Sequence, residues 1–163
     1  MLCAILCLSA QDSTQVFRFG YISYEQALRS MADYAVVQQS MADLRAQYDA
    51  EQKRVEQDFN LKYEEFLEGQ RDFPETILRK RQTELKQLLE QNVAFRNKSR
   101  QQLSQAEAEA MAPLKEKLAA VLAQIAQERG YAFVLNSDKQ AVTFVNPAMG
   151  EDITELVITS LQK

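Results

Sequence analysis

The chain has 163 residues, 46% of them hydrophobic and 26% charged, with a formal net charge of -4. That balance fits a folded protein, and the acidity argues against the whole chain as a nucleic-acid binder. There is no histidine, and the 2 cysteines, Cys3 and Cys7, lie in the first stretch, so the commonest general base and metal ligand is missing and neither a metal nor a cofactor is expected.

Residues 1–10, MLCAILCLSA, form an apolar run that ends in small residues ahead of Gln11, Asp12 and Ser13. The run lacks a basic start but ends as the tail of a secretory signal does, with cleavage expected near Ala10. Leu6 before Cys7 does not fit a lipoprotein signal. Removal of this segment would leave a chain without cysteine, suited to an oxidising compartment.

Residues 11–23 are expected to contribute a strand to a small body. From Val16 to Ile22 the side chains alternate, placing Phe17, Phe19 and Tyr21 on one face. Ser23, with Gln26 three residues later, has the pattern of a capping box opening a helix.

Residues 24–112 are expected to form a long antiparallel helical-hairpin arm, its tip near 69–74. Tyr34, Val37, Met41, Leu44 and Tyr48 recur at alternating spacings of three and four, as in a coiled-coil seam. At Val55, Phe59, Tyr63 and Phe66 the register shifts toward a longer local repeat, which relaxes the supercoil. A single helix from Tyr24 to Gln70 would be on the order of 70 Å long. Gly69 is read as a left-handed helix stop and Pro74 as a residue of the next helix's first turn.

The returning helix carries an apolar stripe from Leu78 through Leu85, Leu88, Phe95 and Leu103 to Leu114, Leu118 and Ile125. Arg81, Asn92 and Ser99 fall at seam positions, where polar residues set register at a cost in stability. Pro113 lies inside this helix and is read as a kink joining arm to body. Charge inverts between the limbs. Asp43 to Glu68 is net acidic and Arg79 to Arg100 net basic, so folding at the tip would set Glu64, Glu65 and Glu68 against Arg79, Lys80 and Arg81.

Residues 113–163 complete the body with the helix end, a β-hairpin and a C-terminal helix. Gly130 stops the helix, Tyr131 to Leu135 and Ala141 to Val145 read as the two hairpin strands, and Asp152 to Glu155 opens a helix whose apolar face holds Leu156, Val157 and Leu161. The fold class is therefore α+β and mostly α. Three short strands cannot close a core alone, so the small sheet is expected to close into a barrel by oligomerisation.

Taken together, these features resemble the Skp/OmpH family of periplasmic chaperones. The likeness rests on Phe19-Gly-Tyr-Ile22, the charged hairpin, Pro113, Glu128-Arg-Gly-Tyr131 leading into Val134-Leu135, and Asp152-Ile-Thr154 with Leu161. It implies a homotrimer with a β-barrel body and three helical tentacles around a cavity, and ATP-independent holding of unfolded outer-membrane β-barrel proteins in the periplasm. Members of that family are often basic, whereas this chain is acidic, which confines electrostatic capture to the return helix.

Chemistry is sparse. The 4 glycines are scattered, so no phosphate-cradling loop exists, and no histidine is present to activate a serine or threonine. An enzyme is not expected. The arm aromatics Phe59, Tyr63, Phe66, Phe73 and Phe95 exceed what a two-helix seam can bury, and the surplus is a candidate surface for non-native clients. Arg79, Lys80, Arg81, Lys86, Arg96, Lys98 and Arg100 either answer the acidic limb or contact an anionic partner, including weak contact with anionic lipid; nucleic acid is not expected. Phe17, Phe19, Tyr21, Tyr131, Phe133 and Phe144 are assigned to body core or subunit interface. The competing reading is a structural coiled-coil envelope scaffold with no affinity for unfolded chains.

Overall fold

The computed structural model describes residues 17–162. The expected signal segment and Val16 lie outside the described residues. The elements are β1 (Phe19–Ile22), α1 (Tyr24–Arg29), α2 (Ala32–Gly69), α3 (Glu75–Arg129), β2 (Val134–Asn136), β3 (Gly150–Asp152) and α4 (Thr154–Leu161). The described residues divide into two compact units, residues 28–118 and residues 17–27 with 119–162. The first is a helical hairpin, beginning and ending a few residues later than 24–112; the second holds the sheet.

In the hairpin unit the limbs run antiparallel. The Asn92 amide donates to the Val55 carbonyl at 3.3 Å, the Arg96 guanidinium meets Glu56 at 3.0 Å, and Tyr48 Oη donates to Gln102 at 3.0 Å. The stripe from Tyr34 to Tyr48 is half-buried, with Met41 the one fully buried residue of α2. Its partners Leu78, Leu85, Leu88, Phe95 and Leu103 are likewise half-buried, and Leu114 and Leu118 are buried. The seam is thin because each limb gives it one residue per turn. Asn92 and Ser99 take their expected seam places, but Arg81 does not. Its side chain is 57% exposed and paired with Glu84 in its own helix.

The first limb is not one helix. Ser30 and Met31 separate α1 from α2, and Met31 is extended at φ -74°, ψ 132° while its side chain is buried. The gain from burying that side chain opposes the cost of interrupting the helix there, a trade that periodicity does not register. Half of the predicted capping box forms. Ser23 Oγ accepts from the Gln26 amide at 3.3 Å, but the Gln26 side chain reaches Glu155 rather than turning back to Ser23. The second cap comes from far along the chain: Asp138 accepts from Ser23 Oγ at 2.8 Å and from the Glu25 backbone N–H at 2.9 Å.

At the tip, Gly69 is not left-handed, and the positive φ among glycines belongs to Gly130. Gly69 serves close approach instead, since a Cβ there would collide with the far edge of the Phe73 ring. Pro74 precedes α3 and its carbonyl accepts from Leu78 N at 2.9 Å, the first bond of the new helix. The helix then runs 55 residues, on the order of 80 Å, and carries Pro113 inside it. Gly130 ends it at φ 65° in a Schellman arrangement: Tyr131 N donates to the Ala126 carbonyl at 2.9 Å and Gly130 N to Gln127 at 3.2 Å.

The sheet unit departs most from expectation. Ala141 to Val145 forms no strand, so the expected β-hairpin is not made; among the described residues the sheet has order β2-β1-β3, with both outer strands parallel to β1. After β2 the Asp138 side chain pins the chain beside α1, and Lys139 and Gln140 turn at φ 54° and 57°. The chain therefore leaves the sheet instead of doubling back. Asn146 then gathers the backbone N–H groups of Ala148, Met149 and Gly150, and β3 enters on the free side of β1 with Phe19 opposite Gly150. The strands are also short: the expected runs Val16–Ile22 and Tyr131–Leu135 shrink to Phe19–Ile22 and Val134–Asn136. Ile22, Ile153 and Val157 form the fully buried centre of this unit. Asp152 precedes α4 and its Oδ1 accepts from the Thr154 backbone N–H at 2.9 Å.

Tyr131 stitches the end of α3 to β3. Its hydroxyl donates to the Glu151 carboxylate, which also pairs with Arg18 at 3.1 Å and Arg129 at 3.3 Å, and the Arg18 guanidinium lies 5.9 Å from the ring centre. Burial first, and the bond to Glu151 second, raise the phenol above its ordinary 10.0. Because the folded value is the higher one, the stabilising contribution is full below pH 10.0 and is lost as pH rises from there through the folded value. Tyr131→Phe is expected to cost about 1 kcal/mol at neutral pH. The gap between variant and parent should close above the tyrosine range, as urea unfolding on both sides of it will read out.

Candidate functional site

The surface most unlike a structural scaffold lies on the hairpin unit. Apolar side chains off the seam stand in solvent: Val36 at 64% exposure, Leu61 at 57%, Leu89 at 51% and Val93 at 49%, with Leu67 and Ile77 close behind. They follow from composition. Each limb carries more apolar residues than a one-per-turn seam accepts, and the remainder project outward. Leu89 and Val93 are four apart on one helical face and, with Phe59, line a cleft of about 200 Å³.

Of the predicted arm aromatics, only Tyr63, at 45%, is strongly exposed. Phe59 stacks on it with ring centres 6.0 Å apart and is half-buried. Phe95 lies in the seam against Tyr48 at 6.3 Å, and Phe66 meets Phe73 at 6.5 Å near the tip. The aliphatic residues were the missed part of this surface. A count of apolar positions off the stripe would have found them, because Leu61, Leu89 and Val93 break the three-four spacing.

The predicted basic set is mostly spent within its own helix. Arg79 pairs with Glu75, Lys80 and Arg81 share Glu84 at 3.8 and 3.1 Å, and Lys86 meets Glu90 at 3.9 Å. Arg96 alone of the set crosses to the acidic limb, and the Gln52 amide together with that guanidinium holds the Glu56 carboxyl below its usual range. The expected pairing of Glu64, Glu65 and Glu68 with Arg79, Lys80 and Arg81 is not made. Partners three or four residues away in one helix need no correct register between limbs, so they win. Among the described residues Lys98 and Arg100 have no ion pair.

In the sheet unit Tyr131 is buried, and Phe19 and Tyr21 are half-buried. Phe133 lies between Phe17 and Phe19, at 5.4 and 5.5 Å, and is itself well exposed, while Phe144 is 80% exposed. The unit thus presents aromatic surface that its own core does not cover.

The model of the family described as outer membrane protein (OmpH-like) matches residues 18–161. The chain belongs to the OmpH-like family. Among solved structures it is similar to an OmpH-like protein from Caulobacter crescentus CB15, a proposed outer membrane chaperone, with a TM-score of 0.65 and 17% sequence identity over 90% of this chain and 83% of that one. That likeness establishes the fold. No curated protein matches the sequence.

Proposed function

We propose that this protein is an ATP-independent holdase of the periplasm, which keeps unfolded outer-membrane β-barrel proteins from aggregating. Family membership supports the chaperone class, and the observation that carries the reading is the exposed aliphatic surface along the hairpin unit. A holdase that spends no nucleotide must release its client when a competing fold or receptor wins. Dispersed contacts of this kind serve that need: each is weak, and together they retain a chain that no one of them would hold.

Three copies would close the sheet into a barrel through the aromatic surface around Phe17, Phe133 and Phe144, with the hairpins bounding a shared cavity. The open edges of β2 and β3 favour such closure. Lys98 and Arg100 are the residues of the basic set best placed for a weak contact with anionic lipid or an acidic client.

Purified protein is expected to delay aggregation of a urea-diluted outer-membrane β-barrel protein at stoichiometric ratio without nucleotide, read by light scattering. Undiminished scattering, alongside tight binding to a folded envelope partner, would instead establish the scaffold reading.

A further inference from the structure

Near the hairpin's turn, a cleft of about 400 Å³ opens between the limbs, floored by Phe66, Phe73, Leu85 and Leu88. Binding pockets for small ligands run from roughly 300 to 1,000 Å³, so this one suits a large side chain with its flanking backbone and not a folded partner. Its wall is set in advance. Phe73 lies over Gly69 where any Cβ would collide with the ring, and Phe66 braces it from α2. Less ordering cost then falls on binding.

The rim decides what enters. Lys62 is neutralised by Asp58 at 3.0 Å, and Arg81 by Glu84 at 3.1 Å. Glu65, also on the rim, has no ion pair among the described residues, and neither have its neighbours Glu64 and Glu68. Of the described charged residues that line the cleft, Lys62, Glu65, Arg81 and Glu84, Glu65 alone is left without an ion pair, so the charge standing unanswered beside the apolar lining is a carboxylate.

We infer that this cleft takes an aromatic or long aliphatic side chain of an extended polypeptide segment that carries a lysine or arginine within a residue or two. The inference rests on the holdase reading and gives that reading a sequence preference. The apolar group fills the floor, while the cation stands against Glu65, so segments with an acid in the same place are disfavoured.

The test uses the full chain and three labelled peptides in a Gly/Ser host, bearing Phe and Lys, Phe and Glu, or Ala and Lys two residues apart. Fluorescence anisotropy is expected to give the Phe/Lys peptide about tenfold tighter binding than either other, with the advantage shrinking as salt is added. Glu65→Lys is expected to reverse the order of the two Phe peptides, whereas Glu107→Lys, with the same change in net charge, leaves it as in the parent. Circular dichroism checks that both variants keep their helix content. Equal affinities for the two Phe peptides, or an unchanged order in Glu65→Lys, overturn the inference. The aggregation assay on the unaltered protein separates the two ideas: suppression without peptide preference rejects the cleft alone, and absence of both rejects the holdase as well.

Discussion

Ile153→Ala is expected to lower the stability of the sheet unit by about 3 kcal/mol. The side chain has no exposed surface and sits with Ile22 and Val157 at the centre of that unit. Its backbone is committed too, since Ile153 N donates to the Tyr21 carbonyl at 3.0 Å just beyond the β1 to β3 ladder. With so few buried residues, a cavity there has little around it that can collapse inward, which puts the cost in the middle of the range for such truncations. Helix dominates the circular dichroism of this chain, so amide hydrogen exchange is the sharper measurement. The Gly20 and Ile153 amides should lose protection together in the variant. The same change at half-buried Ile158 should cost less than half as much, and equal losses at the two positions would show that the centre lies elsewhere.

The reach of the sequence is clearest where one local pattern suffices. Tyr34 to Tyr48 and Leu78 to Leu103 declare the seam because a helix repeats every 3.6 residues, and the observed burial follows that stripe closely. The turn at Gly69 to Pro74 was legible from its glycine and proline, although the role of Gly69 was not. Its chain-breaking reputation suggested backbone freedom, whereas the Phe73 ring requires its missing Cβ. Family likeness was carried by short segments in order, and the match over residues 18–161 spans them.

What failed depended on partners distant in sequence. Ala141 to Val145 has better strand propensity than Gly150–Asp152, yet only the latter joins the sheet. Propensity records how well a segment fits a half-buried pleated surface, and the position beside β1 is awarded by the path of the chain. That path is fixed by Asp138 binding Ser23 and Glu25, more than a hundred residues earlier. The charge inversion between limbs failed for a related reason: net charge of a segment says nothing about whether its bases are already answered one turn away.

Simultaneous replacement of Leu61, Leu67, Leu89 and Val93 by serine is expected to abolish the delay in client aggregation while leaving the hairpin folded. These side chains are exposed, so each substitution should change stability by no more than about 0.5 kcal/mol. Against a client, each contributes on the order of 1 kcal/mol when partly buried. Four lost together weaken capture by roughly a thousandfold, enough to turn a stoichiometric holdase into a bystander. Phe95→Ser provides the contrast. Phe95 lies in the seam against Tyr48, so its loss should lower the melting temperature of the hairpin more than it weakens capture in the cold. Light scattering with the client and thermal unfolding without it distinguish the two effects. If the fourfold variant keeps full suppression and normal helix content, the contact surface is not the aliphatic set. The work of holding then falls to the aromatic residues Tyr63, Phe66 and Phe73 toward the turn.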